Sequence, residues 1–451
     1  MSTELDTFFE THPECRFVDV LLPDLCNVIR GKRLGRDDIR KFYQEGLQIP
    51  SSIMALDVTG TCTDACGRGF SDGDPDVIVR PVSGSLQYVP WSTQPSGQVL
   101  GNLFELDGSA CPIDPRQVLA RTTERLSELG LTPVVAIELE FYLIDVDSAE
   151  RGEPAPPQMP DSSRRASSTQ VYSLADLDGF TSFLSEVESV LRAQGVPLGA
   201  TTAEYAVGQY EINLRHVNDP VLAADQAILL QRAVKGLARR HGAAATFMAK
   251  PYPEGAGNGL HVHLSLLDCD GVNVFDDGTE KGSTRLRQAV AGLLDLLPGA
   301  MAIFSPNVNS YRRFAPNLYV PTGPTWGYNN RSVAVRIPTG SSEARRIEHR
   351  MAGADANPYL TLAAILAGVH HGLSRKLQPP PPRTDNAGTV LDEGTPFTWQ
   401  AALDRLASTT VLGEYLGSDY IQLYCACKQF ELDQFSARFT PLEYDWYLCP
   451  E

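Results

Sequence analysis

The run Gly255-Ala256-Gly257-Asn258-Gly259-Leu260-His261-Val262-His263-Leu264-Ser265 carries the clearest structural signal in the chain. Alternate side chains of a β-strand point to the same face, so His261, His263 and Ser265 are predicted to line one face of a strand. The leucines and the valine between them would then pack on the other face. Glycines let a backbone turn sharply or approach a ligand closely. The run therefore predicts a strand and a loop at which a metal ion and an anionic ligand meet.

A second predicted strand, residues 133–142, breaks the usual pattern of a half-buried strand. One face is apolar throughout, whereas the other carries Glu138 and Glu140 two residues apart. Carboxylates this close repel each other, and burying both is costly unless a cation neutralises them. The alternative is a strand whose charged face is open to solvent.

Three further glutamates extend the same pattern. Glu204 and Glu211 flank a segment in which Gly208 allows a turn, and that turn would bring the two carboxylates together. Glu348 follows later in the chain. With His261, the five glutamates would form two oxygen-rich sites, which suit Mg²⁺ or Mn²⁺ better than structural zinc. Taken singly, each glutamate is more simply explained as a solvated surface charge.

Residues 312–350 contain a cluster of arginines, whose forked guanidinium groups suit phosphate and carboxylate oxygens. Its members are Arg312, Arg313, Arg331, Arg336, Arg345, Arg346 and Arg350. Ion pairs on helix surfaces are the alternative explanation. Residues 333–338 also read as a strand that would place Arg331 on the face opposite Arg336. Together with the carboxylates and the glycine loop, the cluster favours phosphoryl transfer, in which cations offset charge on the moving group.

The composition is that of an ordinary globular protein, and 451 residues suffice for two domains. A net charge of −17 argues against a nucleic-acid-binding protein. The apolar runs are shorter than a membrane span, and the acidic start lacks the layout of a secretory signal. A cytoplasmic protein without membrane contact is therefore expected. The nine cysteines lack zinc-site spacing and are expected to be reduced thiols.

Turn signals and hydrophobic periodicity divide the chain into two predicted domains, residues 12–110 and 111–451. The first contains mainly strand-like segments and a helix that begins near Gly35. The second opens with a helix that Asp114 caps and Pro115 starts. Three long helices are predicted after it, over residues 174–194, 220–241 and 357–377.

A series of short motifs runs in order along the chain. They are Arg30-Gly31-Lys32, Ile137-Glu138-Leu139-Glu140-Phe141, Gly208-Gln209-Tyr210-Glu211 and residues 246–251, 259–265, 309–313, 330–338, 345–348 and 356–359. This ordered series resembles the glutamine synthetase superfamily over essentially the full length of the chain. No single motif is specific, but their number and order are.

The resemblance implies an α+β fold, with a small N-terminal β-grasp domain and a large α/β catalytic domain built on a curved antiparallel sheet. It also implies a homo-oligomer, commonly a dodecamer of two stacked hexameric rings, with active sites between neighbouring subunits. Its substrates would be ATP, glutamate and an amine, and its cofactor Mg²⁺ or Mn²⁺. ATP would phosphorylate the γ-carboxylate of glutamate, and the amine would then displace phosphate to form an amide.

The resemblance also assigns roles to individual residues by their position in the motifs. One divalent ion, near ATP, would be held by Glu138, His261 and Glu348. The other, near glutamate, would be held by Glu140, Glu204 and Glu211. ATP would contact His263, Ser265, Arg336 and Arg346. Glutamate or the phosphoryl group would contact Gly257, Arg313, Arg350 and Arg331, the last also assigned to catalysis. A neighbouring subunit would lend Asp57 to the amine site.

Two positions depart from the glutamine synthetase pattern. Tyr319 stands where glutamine synthetases place a flap glutamate that closes the site and helps to deprotonate ammonium, and Ala256 replaces an asparagine of the glutamate loop. An aromatic ring can flank an alkyl chain or a cationic amine, a contact worth about 0.5–2 kcal/mol. Tyr319 is therefore assigned to the catalytic site. The chain most resembles the subgroup that makes γ-glutamyl amides of polyamines such as putrescine, spermidine or spermine, an entry step in their breakdown.

Three other functions stay open on the sequence. Tyr319 could be a neutral flap substitution in an enzyme that still makes glutamine from ammonia. The amine could instead be a small monoamine such as ethanolamine. A non-catalytic relative is disfavoured, because such a protein should have lost metal ligands and all six predicted ones are present. Residues 379–396 lack the tyrosine that some bacterial glutamine synthetases adenylylate, so that regulation is not expected.

Overall fold

The computed structural model describes residues 3–160, 162, 164–167 and 170–449. Two β-sheets and their covering helices give the predicted α+β class. The strands are β1 (Phe17–Pro23), β2 (Ile29–Gly35), β3 (Leu47–Pro50), β4 (Asp76–Pro81), β5 (Gln87–Tyr88), β6 (Ser96–Phe104), β7 (Thr132–Asp145), β8 (Leu198–Ala203), β9 (Gln209–Leu214), β10 (Ala243–Thr246), β11 (Leu260–Leu267), β12 (Trp326–Tyr328), β13 (Val335–Ile337) and β14 (Ile347–His349).

The helices lie around and between these strands. They are α1 (Thr3–Thr11), α2 (Arg36–Glu45), α3 (Pro115–Ser127), α4 (Val146–Glu150), α5 (Leu174–Gly179), α6 (Thr181–Ala193), α7 (Pro220–Arg240), α8 (Thr284–Phe304), α9 (Pro358–Arg375), α10 (Trp399–Ser408), α11 (Thr410–Leu416), α12 (Ser418–Ser436) and α13 (Pro441–Tyr447). Short 3₁₀ turns span Ser51–Ala55, Ala65–Gly67, Ser310–Arg313 and Ala387–Thr389.

Strands β1 to β6 form the first sheet, in the order β2-β1-β6-β4-β3, with β5 paired to β6. The β1–β6 pairing is parallel and the others are antiparallel. Val18 and Val20 of β1 are buried beneath the covering elements. Phe8 of α1 packs so closely on the sheet that a β-carbon at Gly97 would lie 2.7 Å from its ring. A larger residue at position 97 would therefore displace α1, which lies ahead of the predicted domain start at residue 12.

Strands β7 to β14 form the second sheet, in the order β12-β13-β14-β11-β7-β9-β8, with β10 paired to β7. All of its pairings are antiparallel except β12–β13. The register sets His261 opposite Glu138 and Glu140 opposite Glu211. Residues directly opposite each other on neighbouring strands share a face of the sheet. One face therefore gathers the carboxylates and the imidazoles.

The other face of the second sheet forms the core of the larger unit. Val135, Ile137 and Leu139 of β7 are fully buried there, as the alternation predicted, and α7 packs against this strand. Helices α8 and α9 approach each other closely, since a β-carbon on Gly292 would lie 2.1 Å from the carbonyl oxygen of Gly368. Position 292 therefore requires glycine.

Helix α8 has the length and the apolar composition of a membrane span, contrary to the expectation from the sequence. Of its most apolar window, 78% is buried inside the structure. A helix buried to this degree lies in the protein core, and core helices can be as long and as apolar as a membrane span.

Several helix boundaries agree with the predictions. The Asp114 carboxylate accepts from the backbone N–H of Arg116 and caps α3. Asp219 caps α7 in the same way, through Val221. All nine cysteines are free thiols.

The helix predicted over residues 174–194 is wrong in one respect, because it is divided into α5 and α6. The division falls at Phe180, whose φ of −118° and ψ of 20° leave the helical region. This turn lets the Phe180 ring bury against Tyr210, with ring centroids 5.8 Å apart. The periodicity of one segment does not report such packing against another strand.

Candidate active site

A cavity of about 850 Å³ opens over the polar face of the second sheet. A cavity of this size can hold a nucleotide or a comparable ligand. The predicted site residues in its wall are Glu138, Glu140, Glu204, Glu211, Gly257, His261, His263, Arg313, Tyr319, Arg331, Arg336, Arg346, Glu348 and Arg350. The fold thus brings together side chains that are widely separated in the sequence.

Glu138, His261 and Glu348 each place one ligand atom within 4.8 Å of the others. Burial opposes ionisation of Glu138, but hydrogen bonds from His261 and His263 outweigh it and hold the pKa of Glu138 well below its usual range. Burial also opposes ionisation of Glu348, yet Arg350 and other nearby cationic groups lower the pKa of Glu348 to about 2. Two ionised carboxylates and an imidazole form a donor set that suits Mg²⁺ or Mn²⁺.

His263 lies beside this group and forms a hydrogen bond with Glu138. Nε of Arg346 donates to Nδ1 of His263 at 3.0 Å, so the ring proton lies on Nε2. Nε2 then donates to Oε1 of Glu138 at 2.9 Å. The other oxygen of Glu138, Oε2, lies 3.4 Å from Nδ1 of His261. The Glu138 carboxylate is therefore oriented by both histidines.

Glu140, Glu211 and His261 form a second group, whose ligand atoms also lie within 4.8 Å of one another. The backbone N–H of Gly259 donates to Oε2 of Glu140 at 2.7 Å and orients this carboxylate. Burial, followed by the charges of Glu138 and Glu140, raises the pKa of Glu211 well above its usual range. The side chain of Glu211 is only 14% exposed. The charged face of β7 is therefore not a solvent-facing edge, and a cation would relieve the crowding.

Glu204 lines the same cavity but belongs to neither three-residue group among the residues that the structure describes. Burial, followed by the charge of Glu140, raises the pKa of Glu204 to about 7, while Arg331 opposes the shift. Gly208 has a φ of 76° and forms the predicted turn. That turn brings Glu204 close enough to Glu211 for their charges to interact.

Arg336 and Arg350 both hold Glu348. Nη1 of Arg336 donates to Oε2 at 2.6 Å, and Nη1 of Arg350 donates to Oε1. The Nε atoms of both arginines are buried and lack hydrogen-bond partners within the described ranges. Leaving a buried donor unpaired costs about 1–3 kcal/mol. The oxygens of an anionic ligand would satisfy donors of this kind.

The predicted separation of Arg331 from Arg336 is wrong. Strand β13 begins only at Val335, so its alternation does not extend back to Arg331. Both guanidinium groups line the cavity. Both arginines can therefore contact the same ligand, which would not be possible if they lay on opposite faces of one strand.

Gly257 and Arg313 meet where the glycine loop closes the cavity floor. A β-carbon on Gly257 would lie 2.6 Å from Cγ of Arg313, so this contact needs glycine. Arg313 is buried and donates to the carbonyl oxygen of Met351 at 3.2 Å. Burial lowers the pKa of Arg313, and the charge of Asp355 opposes that shift. A buried guanidinium beside a half-buried backbone loop suits a carboxylate ligand.

Three tyrosines, Tyr172, Tyr205 and Tyr319, stand at the mouth of the cavity and are called the aromatic rim below. The rings of Tyr205 and Tyr319 are 5.6 Å apart between centroids and inclined by 43°. Nη1 of Arg331 donates to the Tyr172 hydroxyl at 3.4 Å. Of these three, only Tyr319 is predicted from the sequence. Tyr205 could have been found because it follows Glu204 directly, whereas nothing in the sequence links Tyr172 to Arg331.

Asp57 and Ser265 lie outside the cavity wall of the described chain. Oδ1 of Asp57 accepts from the backbone N–H groups of Thr59 at 2.9 Å and Thr61 at 2.8 Å, within its own turn. Ser265 is on the same strand as His263 but two residues further from the cavity. The roles assigned to both residues stay predictions.

The profile "Glutamine synthetase, catalytic domain" matches residues 112–447. The chain belongs to the glutamine synthetase family. A solved structure of a GmaS–ADP complex aligns with a TM-score of 0.84 and 27% identity, over 99% of this chain and 100% of that one. The predicted glutamine synthetase fold is confirmed.

Several glutamine synthetase relatives are similar over nearly the whole chain. Gamma-glutamylputrescine synthetase of Escherichia coli K12 is 42% identical, over 99% of this chain and 94% of that protein. Glutamate–isopropylamine ligase of a Pseudomonas species is 32% identical, over 94% and 93%. Gamma-glutamylethanolamide synthetase of Streptomyces coelicolor is 30% identical, over 96% and 91%. The prediction of an ATP-dependent glutamate–amine ligase is confirmed at the level of the family.

Proposed function

We propose that this enzyme joins the γ-carboxylate of glutamate to a polyamine, with putrescine as the first candidate, at the expense of ATP. The observation that carries the proposal is the aromatic rim at the mouth of a cavity that keeps every predicted metal-binding side chain. The 42% identity to the gamma-glutamylputrescine synthetase of E. coli supports the same substrate. The reaction would serve polyamine breakdown.

The carboxylate-rich donor set suits Mg²⁺ or Mn²⁺, and we propose two such ions. We assign Glu138, His261 and Glu348 to the first ion, and Glu140, Glu204 and Glu211 to the second. Burial, followed by repulsion from neighbouring carboxylates, raises the pKa values of Glu204 and Glu211, which supports a cation at the second site. When bound, such ions supply positive charge that stabilises phosphoryl transfer.

The cationic side chains would divide between the two anionic substrates. His263, Ser265, Arg336 and Arg346 are assigned to ATP. Gly257, Arg313, Arg331 and Arg350 are assigned to glutamate and to the phosphoryl group. Transfer of the γ-phosphoryl group of ATP to the glutamate γ-carboxylate gives γ-glutamyl phosphate and ADP. Attack by the neutral amine on the acyl carbon then forms the amide and releases phosphate and a proton. Fixed guanidinium donors at the transferring group would stabilise its transition state.

The amine would enter past the rings of the aromatic rim. The faces of Tyr205 and Tyr319 suit the methylene chain or an ammonium group of a diamine, a contact worth about 0.5–2 kcal/mol for the cation. Replacement of the flap glutamate by Tyr319 removes a group that would otherwise serve ammonium.

We further propose a cytoplasmic homo-oligomer, a dodecamer of two hexameric rings, in which Asp57 reaches the amine site of a neighbouring subunit. Val58 and Phe70, in the segment that begins at Asp57, are 52% and 94% exposed, which supports an interface there. The domain boundary is proposed between residues 110 and 111. The last strand of the first sheet, β6, and the first strand of the second, β7, lie on either side of it.

The test is release of ADP by the purified enzyme with glutamate and Mg²⁺, across ammonium, ethanolamine, putrescine, spermidine and spermine. We expect the largest kcat/KM for a diamine or polyamine and no amine-dependent turnover when glutamate is omitted. A larger kcat/KM for ammonium would establish glutamine synthesis instead. A larger value for ethanolamine would establish a monoamine ligase, and failure of every amine would indicate a non-catalytic relative.

A further inference from the structure

Gln209 is the first residue of β9 and is almost fully buried in the cavity wall. Its backbone closes the turn that carries Glu204, because its carbonyl oxygen accepts from the Glu204 N–H at 2.8 Å. Its own N–H donates to the Ala206 carbonyl at 3.0 Å. The Gln209 side chain returns to the same turn, where Oε1 accepts from the Ala206 N–H at 3.2 Å. One residue therefore fixes this turn through three hydrogen bonds.

The amide nitrogen of Gln209 faces the opposite way, toward three acceptors. It lies 3.1 Å from the Gly257 carbonyl oxygen, 3.1 Å from Oδ1 of Asn258 and 3.4 Å from Oε2 of Glu140. Asn258 is fixed in turn, since its Nδ2 donates to the Met248 carbonyl oxygen at 2.8 Å. The amide of Gln209 cannot be reversed, because its oxygen would then face three acceptors and its nitrogen a donor.

These contacts join three parts of the site that are separate in the sequence. Gly257 belongs to the glycine loop, Glu140 to the second metal-binding group, and Glu204 to the turn below the aromatic rim. Among neutral side chains, a glutamine offers two donor hydrogens and an acceptor at the end of a stem of this length. A carboxylate would lose the donors and repel Glu140.

We propose that Gln209 is a positioning residue that couples binding of a divalent cation by Glu140 to the placement of the glycine loop for glutamate. The statement about glutamate binding rests on the proposed function, whereas the statement about cation binding does not. Hydrogen-bond partners of metal ligands typically change metal affinity about 10- to 100-fold when removed. Gln209→Met, which keeps the size of the side chain and loses both hydrogen-bonding functions, should reach at least the lower end of this range.

The decisive measurement is free Mn²⁺, followed by electron paramagnetic resonance, in titrations of the full-length, metal-free protein without substrates. We expect wild-type protein to bind two ions per chain. Gln209→Met should weaken one of the two sites about 10-fold and leave the other within twofold. The matched control is Gln194→Met, a buried glutamine outside the cavity whose Nε2 donates to the Tyr88 carbonyl oxygen at 2.7 Å. Gln194→Met should leave both sites within twofold.

Steady-state kinetics provide the second readout. Gln209→Met should raise the KM for glutamate about 10-fold and leave the KM for ATP within twofold, a split that general loss of stability would not produce. If Gln209→Met fails to fold, Gln209→Glu keeps the acceptor for Ala206 and loses the donors. It should raise the KM for glutamate at least as much.

Two results would overturn the proposal for Gln209. One is Mn²⁺ binding and a KM for glutamate both within twofold of wild type in a folded variant. The other is the same loss of Mn²⁺ binding in Gln194→Met. Failure of the proposed function looks different, because wild-type protein would then prefer ammonium or a monoamine, or turn over none of the amines, while its Mn²⁺ titration still reports on Gln209.

Discussion

Replacement of Tyr319 by alanine tests the source of amine selectivity. The Tyr319 ring is 61% exposed and its nearest aromatic neighbour is Tyr205, at 5.6 Å between centroids. An ammonium or an adjacent methylene chain against this ring gains about 0.5–2 kcal/mol. Because 1.4 kcal/mol is a factor of ten, Tyr319→Ala should lower kcat/KM for putrescine about 2- to 30-fold. Ammonium itself supplies the nucleophilic nitrogen and has no carbon chain or second ammonium to place against the ring, so its kcat/KM should change less than twofold.

The assay is ADP release with saturating glutamate and Mg²⁺ and a varied amine. Tyr319→Phe keeps the ring and should stay within twofold of wild type. The ring pair itself is worth about 0.5–1.5 kcal/mol, and it holds Tyr319 in place. Tyr205→Ala should therefore reproduce part of the loss, and the double variant should lose at least as much as Tyr319→Ala alone. Equal losses for putrescine and ammonium in Tyr319→Ala would refute the reasoning, because the ring would then serve the site as a whole.

Two further predictions concern glutamate and the metal ions. Gly257→Ala should raise the KM for glutamate at least 10-fold, because the new β-carbon would lie 2.6 Å from Cγ of Arg313. The control Gly199→Ala, whose new β-carbon would make only ordinary contacts, should leave this KM unchanged. Equal KM values for the two variants would contradict the prediction. In metal-free protein, Glu204 and Glu211 have raised pKa values, so the folded state keeps protons that the unfolded chain releases above its ordinary pKa of 4.5. The stability that these two protonated carboxyl groups contribute is complete below pH 4.5 and is lost as the pH rises through about 7 and beyond. The Tm measured in EDTA should therefore fall between pH 6 and 9. Saturating Mg²⁺ should reduce this fall, and a slope that Mg²⁺ leaves unchanged would contradict a metal site at these carboxylates.

The strands that carry the site could be predicted because their signals are local. Alternation alone placed His261 and His263 on one face of β11, and it placed Glu138 and Glu140 on one face of β7. Antiparallel pairing of these two strands then brings the faces together. A period of two residues leaves little choice of face once one side is apolar.

Other features depend on contacts that no local pattern reports. Phe180 interrupts a helix because its ring packs against a distant strand. Tyr172 reaches Arg331 only after the chain has folded over the cavity. Arg331 and Arg336 share one wall because β13 is shorter than its β-branched sequence suggests. In each case tertiary packing outweighs the local preference of the segment.

The most direct test of the central claim is a competition between ammonium and putrescine at equal concentrations in one reaction with glutamate, ATP and Mg²⁺. Mass spectrometry measures the ratio of γ-glutamylputrescine to glutamine, which equals the ratio of the two kcat/KM values. The aromatic rim and the missing flap glutamate predict that γ-glutamylputrescine is the main product, with one ADP and one phosphate per molecule. Glutamine as the main product would contradict the account.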